Sequence, residues 1–276
     1  MKPASFDLSN PSTIHEAMKL LAESDGDAKL LSGGQSLVPT LNLRLARPSR
    51  LVNTKQILRL REIAQSERGF WIGAGWRHSA FEDGIIPDFS KGFLQYVAGG
   101  IAYRAVRNRG TIGGSLAHAD PAADWISALT AIGAICEVHG QQGVRQIRVE
   151  DFIVGPMVSA LREDEILVGL EIPKLSPSAR WAYTKFCRKI GEFAKSICAI
   201  VSDPDQGMSR VVIGATDGPP MLLPLTAQSI GSAGPEELLR LASGELQEHL
   251  GHVELDRYRQ HQAMLHKALG HVTEAM

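Results

Sequence analysis

The chain has 276 residues, with 29 basic and 30 acidic side chains for a formal net charge of −1, 44% hydrophobic residues and 21% charged ones. That balance suits a chain able to bury a core, with room for one large or two to three small domains, and it excludes the basic footprint of a nucleic-acid or anionic-membrane binder. Residues 1–10 hold no apolar signal segment and no run is long enough to cross a bilayer, so the expectation is a cytoplasmic protein without a membrane span. Cys136, Cys187 and Cys198 are three scattered thiols. They make neither a disulfide framework nor the four closely spaced thiolates of an iron–sulfur cluster, and they read as buried structural thiols. No G-x-S-x-G elbow and no H-E-x-x-H pair occurs, so no catalytic or metal-ligating set is assigned.

In chain order, the first predicted helix covers 13–24. Thr13 and Glu16 have the spacing of a capping box, and Ile14, Ala17, Met18 and Leu21 share one face. Residues 28–31 read as a short strand, 32–36 as a loop, and 37–45 as an apolar run in which Pro39 suits an early helical turn. A strand at 51–53 closes a small α/β unit, 1–56, at the low end of independent stability.

A strand at 70–75 follows, with Trp76 and His78 behind it; His78 reads as a cap or loop hydrogen-bonder rather than a ligand. Residues 91–109 read as a helix followed by a loop. Arg104, Arg107 and Arg109 there could favour a phosphate, form a solvated face or meet a partner. A helix is predicted at 121–132, with Asp120 as its cap and Pro121 in its first turn. Strands at 134–139 and 144–149 are joined by a hairpin at 140–143, and 165–172 is another strand. Pro173 and Pro177 mark a linker, which ends a second unit, 57–176. The remainder, 177–276, reads as α+β: strands at 180–187, 194–202 and 209–216, then helices at 235–243 and 254–269.

Two stretches share one grammar. Residues 32–36 are Ser-Gly-Gly-Gln-Ser, and residues 111–115 are Thr-Ile-Gly-Gly-Ser. Adjacent glycines can take positive φ and turn successive N–H groups inward as an anion-binding nest; the alternative is a tight turn before a core helix. Neither loop is a Walker A loop, and neither carries G-x-G-x-x-G, so a nucleotide triphosphatase and a Rossmann NAD domain are both disfavoured. Two loops rich in donors suit the two phosphates of a dinucleotide.

The pair 31–39 and 111–121 (Thr-Ile-Gly-Gly-Ser-Leu-Ala-His-Ala-Asp-Pro) closely resembles the FAD-binding medium subunit of molybdenum hydroxylases, the family of carbon monoxide and xanthine dehydrogenases. Further matches follow in the family's order at 140–145, 151–152, 164–167, 172–173 and 183–186, and Tyr258-Arg259 fits its closing helix. Residues 188–194 resemble its Arg-x-x-Gly-Asp-Phe-Ala segment, with Glu192 in place of the usual Asp.

The resemblance implies a two-part FAD-binding domain of the type found in vanillyl-alcohol oxidase-like flavoproteins, followed by a C-terminal α+β domain. It implies a cofactor site on Lys29, Leu30, Leu31, Ser32, Gly33, Gly34, Gln35, Ser36 and Leu37, and on Thr111, Ile112, Gly113, Gly114 and Ser115, with the pyrophosphate donors at 32–36 and 111–115. Ile101 and Leu167 would wall the isoalloxazine, His118 and Asp120 would lie beside it, Asp124 would contact the ribose or adenine edge, and Lys185 would place a cation near the flavin edge. It also implies partners in a heterotrimer or dimer of heterotrimers. A small subunit would carry two [2Fe–2S] clusters, a large subunit would carry the molybdenum–pterin cofactor, and an external acceptor would take the electrons. Two other readings stay open from sequence: a free-standing FAD-dependent oxidoreductase, and a non-redox binding or assembly protein whose Gly-Gly loops are only turns.

Overall fold

The computed structural model describes residues 2–274. Strands β1 (Asp7–Ser9), β2 (Ala28–Leu31) and β3 (Arg50–Asn53) form a parallel sheet in the order β1-β3-β2, with helices α1 (Ile14–Ala22) and α2 (Leu37–Asn42) in the connections. The capping box is formed: Glu16 N–H donates to Thr13 Oγ1, and Thr13 N–H donates to the Glu16 carboxylate. This start fixes the face that buries Ala17 and Leu21.

The second sheet is antiparallel, in the order β4-β5-β10-β6-β7. It begins with β4 (Ile63–Gln65) and β5 (Gly69–Gly73). The chain then leaves the sheet for α3 (His78–Glu82), α4 (Phe93–Gly99), α5 (Arg104–Arg107), α6 (Ile112–His118) and α7 (Asp124–Ile132). It returns through the hairpin β6 (Ile135–Gly140) and β7 (Gly143–Arg148), where Gly140 faces Gly143 as the sequence predicts. The short α8 (Val149–Phe152) and the small hairpin β8 (Ile153–Gly155) and β9 (Val158–Ser159) lead to the central strand β10 (Ile166–Pro173). A bulge between Leu167 and Gly169 interrupts the β10–β6 ladder. Bulges of this kind re-aim side chains, and Leu167 lines the cleft described below.

The third sheet runs β11 (Arg180–Phe186), β12 (Ser196–Asp203), β13 (Met208–Gly214) and β14 (Met221–Leu222), followed by α9 (Pro224–Ser229), α10 (Pro235–Leu250) and α11 (Leu255–Glu274). Strand β12 is buried along its whole length. Its alternate residues serve two cores, as a period of two requires. Ile197, Ala199 and Val201 join the core that runs back through α7 to α1, while Cys198 and Ile200 join the core under α10 and α11. Helix α7, buried from Trp125 to Ile132, lies against β12 and β13.

Several elements differ from the sequence expectations. Residues 91–109 form two short helices, broken at Ala102 with φ 41°. The helix placed at 121–132 starts three residues later, at Asp124; its N-cap is Ala123, and Asp120 instead holds a turn through Ala122 N–H. Gly113 and Gly114 do not form a positive-φ nest: they lie in the first turn of α6, capped by Thr111. Glycine lowers helix propensity, which hides α6 from a reading by propensity. Close approach explains the glycine instead, because a Cβ on Gly113 would stand 2.4 Å from that of Ala74. Helix α10 runs on to Leu250, beyond the predicted 243.

Candidate functional site

The ends of β2, β5 and β10 and the start of α6 surround a cleft of ≈ 620 Å³, within the ~300–1,000 Å³ usual for small-molecule and cofactor sites. The two glycine loops meet in it. Ser32 Oγ and Thr111 Oγ1 are 2.9 Å apart, and Gly33 packs so closely on the second loop that a Cβ there would lie 2.5 Å from the Arg109 carbonyl oxygen and 2.7 Å from Gly110 Cα. Only main chain fits at this crossing.

The loops differ in what they offer. Four of the five N–H groups of the second loop already have an acceptor: Ile112 donates to the Trp76 carbonyl, Gly113 to that of Ala74, Gly114 to Thr111 Oγ1 and Ser115 to the Thr111 carbonyl, which leaves that of Thr111 without one among the described residues. In the first loop, no main-chain N–H from Ser32 to Leu37 has an acceptor among the described residues. Gly34, at φ 71°, gives this loop its left-handed bend. Residues 33–37 are half-buried and Ser32 is exposed, so this run is a donor set open to an anionic ligand. The expected nest on both loops is thereby corrected: the run of amide donors is on the first loop, while the second keeps only the Thr111 N–H and otherwise supplies hydroxyls and a close-packed wall.

Lys29, Leu30 and residues 32–37 line the cleft, as do Thr111, Gly113, Gly114, Ser115, His118, Asp120, Asp124, Ile101 and Leu167. Three expected site residues stand outside the lining. Leu31 turns its carbonyl to Thr54 Oγ1 at 3.4 Å, and Ile112 is fully buried core. Lys185 lies behind Asp124: its Nζ is 2.7 Å from Asp124 Oδ1 and donates to the Gly100 carbonyl at 2.7 Å. Asp120 Oδ1 accepts from Ala122 N–H at 2.9 Å.

Two of the arginines before the second loop are structural. Arg104 pairs with Asp83 and Glu82, while Arg107 holds Glu82 bidentately and donates to the carbonyls of Ile101 and Ala102. These hydrogen bonds and charges hold the Glu82 and Asp83 carboxyls below their usual range. Arg107 thus props the cleft wall from behind. His78 is also a wall residue. Its Nδ1 accepts from Trp125 Nε1 at 2.9 Å, and burial together with the Arg107 charge lowers its pKa to about 4, so it is neutral at pH 7.

Other wall residues carry no strong local signal. Met157, at φ 58°, bonds through its N–H to the Ala119 carbonyl and brings the β8–β9 hairpin to the cleft. Ala119 (φ 53°) and Ala102 are also left-handed, so backbone strain collects around this site. Gly191, Glu192 and Phe193 reach the cleft from the β11–β12 connection. The family resemblance of residues 188–194 was their only signal. Among the described residues, no three His, Cys, Asp or Glu side chains are grouped to hold a metal ion, and no helix is long and apolar enough to cross a membrane.

The family model described as the FAD binding domain in molybdopterin dehydrogenase matches residues 4–175. The chain belongs to this family. The 6-hydroxypseudooxynicotine dehydrogenase complex subunit alpha of Paenarthrobacter nicotinovorans is 38% identical to it over 208 residues, covering 75% of this chain and 70% of that one. The carbon monoxide dehydrogenase medium chain of Hydrogenophaga pseudoflava is 35% identical over 201 residues, covering 73% and 70%. Among solved structures, carbon monoxide dehydrogenase from Hydrogenophaga pseudoflava, in a form lacking the Mo-pyranopterin moiety, superposes with TM-score 0.91 at 29% identity over 99% of each chain. Quinoline 2-oxidoreductase from Pseudomonas putida 86 does so with TM-score 0.87 at 27% identity, over 100% of this chain and 99% of that one. The molybdopterin-dehydrogenase FAD domain therefore accounts for the first two sheets, and the full-length superposition extends the likeness through the third. The residues fit FAD: an unpartnered amide run suits a diphosphate, and the cleft beside it has apolar walls at Ile101 and Leu167 for a flat ring.

Proposed function

We propose that this chain is the FAD-binding medium subunit of a molybdenum-containing hydroxylase complex. It would take electrons from the [2Fe–2S] clusters of a small partner subunit and deliver them to an external acceptor. A large partner subunit would hold the molybdenum–pterin cofactor and the substrate pocket. When bound, FAD supplies redox chemistry that accepts electrons and releases them to an acceptor, while the protein supplies binding, orientation and local field.

The observation that carries this reading is the free amide run from Ser32 to Leu37, held against the second glycine loop by the Ser32–Thr111 contact. In the proposed site, these amides and the Ser36 and Ser115 hydroxyls bind the diphosphate. Ile101 and Leu167 exclude water from the ring, and His118 and Asp120 stand beside it. Asp124 contacts the nucleotide's polar edge, with the Lys185 charge behind it. The reading divides the chain into units 1–56, 57–176 and 177–276, with the cofactor held mainly by the first two. A cytoplasmic location goes with it.

Purification from the native source, with visible spectroscopy and metal analysis, tests it. The expected result is bound FAD and co-purification with chains carrying molybdenum and iron–sulfur clusters. A colourless chain with no bound flavin and no metal-bearing partners would overturn it.

A further inference from the structure

Asp124 is the one cleft residue whose carboxylate is held by two side chains of β11. Its Oδ1 accepts from Tyr183 Oη at 2.7 Å and from Lys185 Nζ at 2.7 Å, while Oδ2 has no partner among the described residues. A carboxylate on a single bond would swing about its side-chain torsions. Two charge-assisted or polar bonds to one oxygen fix the plane of the group and leave the other oxygen for a ligand. Tyr183 suits this task. It is 6% exposed, and its ring is wedged edge-on against Phe93 and Tyr96, with centroids 6.5 and 6.4 Å away. Burial and the adjacent Asp124 charge push its phenol pKa well up, so the hydroxyl keeps its proton and can only donate to Asp124. Lys185 ties a second point of the same wall, through the Gly100 carbonyl next to Ile101.

We propose that the Tyr183 hydroxyl is a positioning group of the cofactor site, orienting Asp124 toward the bound nucleotide from the third sheet. The inference rests on the FAD-binding reading above and makes the C-terminal unit part of that site.

The test measures the FAD dissociation constant and melting temperature of the full chain, in the complex it purifies in. Tyr183→Phe keeps the ring and removes only the hydroxyl. The control is Thr184→Val, which removes the neighbouring buried hydroxyl bonded to the Met264 carbonyl at 2.8 Å, away from the cleft. Tyr183→Phe is expected to weaken FAD binding about tenfold, the scale of one lost hydrogen bond to a charged group. Thr184→Val is expected to lower the melting temperature with the dissociation constant unchanged. In an Asp124→Ala background, adding Tyr183→Phe should change FAD affinity less than about twofold, because the group it orients is gone. Equal effects of Tyr183→Phe and Thr184→Val on FAD affinity would overturn the proposal. So would a Tyr183→Phe effect that persists undiminished without the Asp124 carboxylate. A wild-type protein that binds no FAD would overturn the functional reading itself, a result distinct from either.

Discussion

Ser32 Oγ and Thr111 Oγ1 stand 2.9 Å apart, although 79 positions separate them in the chain. Thr111 Oγ1 also accepts from Gly114 N–H at 3.1 Å and so caps α6. One hydroxyl therefore sets both the start of the helix and its distance from the amide-rich loop.

Thr111→Val removes both bonds at nearly constant volume. Loss of the cap should cost about 1 kcal/mol of stability, and release of the first loop should lower FAD occupancy. Thr111→Ser keeps the oxygen and should restore both. Denaturant unfolding and the flavin-to-protein ratio check this; a Thr111→Val protein with full flavin content would contradict it.

Gly33 and Gly34 are needed for different reasons. A Cβ at Gly33 meets main-chain atoms of the second loop at 2.5 and 2.7 Å, so the loops must part. Gly33→Ala should destabilise by ~1–3 kcal/mol, as overpacking does, and Gly33→Val should abolish FAD binding. At Gly34 the obstacle is φ 71°, and Gly34→Ala should cost roughly 1–2 kcal/mol. At Gly114 the expected clash is with a side chain, Thr111 Oγ1 at 2.7 Å, rather than with φ. Gly114→Ala should therefore be milder than Gly33→Ala when FAD affinity is titrated across the series.

The contrast between the two loops shows what the sequence could carry. The Ser-Gly-Gly-Gln-Ser and Thr-Ile-Gly-Gly-Ser stretches reveal donors and tight approach, and the structure brings them together. Which amides stay free depends on Trp76 and Ala74, distant residues whose carbonyls occupy Ile112 and Gly113 N–H. No local pattern encodes that. Helix α6 was hidden because its glycines answer to packing on Ala74 rather than to helix propensity. The Lys185–Asp124 pair was likewise invisible, since it joins residues 61 positions apart, on β11 and at the start of α7. Elements with strong local chemistry, such as the capped α1 and the Gly140–Gly143 hairpin, were legible almost to the residue.

Lys185 is half-buried and salt-bridged to Asp124 beside the cleft. Lys185→Ala removes a positive charge from the region that is to hold the redox cofactor, and it leaves the Asp124 charge less compensated. Both changes disfavour added electrons. The flavin midpoint potential should fall by about 30 mV or more, the scale of a tenfold change in a two-electron equilibrium, while FAD remains bound. Spectroelectrochemical titration reads it directly, and an unaltered potential removes Lys185 from the electronic role.

Acid should destabilise the fold through two buried histidines. Burial first, and then a nearby arginine charge, lowers the pKa of His78 and of His261 from 6.5 to about 4; the arginines are Arg107 and Arg257. His261 is fully buried, and neither ring nitrogen has a partner among the described residues. A depressed folded-state pKa means that the unfolded chain binds protons first. The contribution of each histidine is complete above pH 6.5, falls as the pH drops below it, and is gone below about 4. At 1.36 kcal/mol per unit, each contributes on the order of 3 kcal/mol across that window and loses about 2 kcal/mol by pH 5. His261→Leu replaces an unpaired polar ring with an apolar side chain among Leu-rich helices, so at neutral pH it should not destabilise, and it should flatten the pH dependence by its own share. Urea unfolding of both proteins at pH 7.5 and 5 decides the matter. If the two lose the same stability on acidification, His261 is not one of the groups responsible.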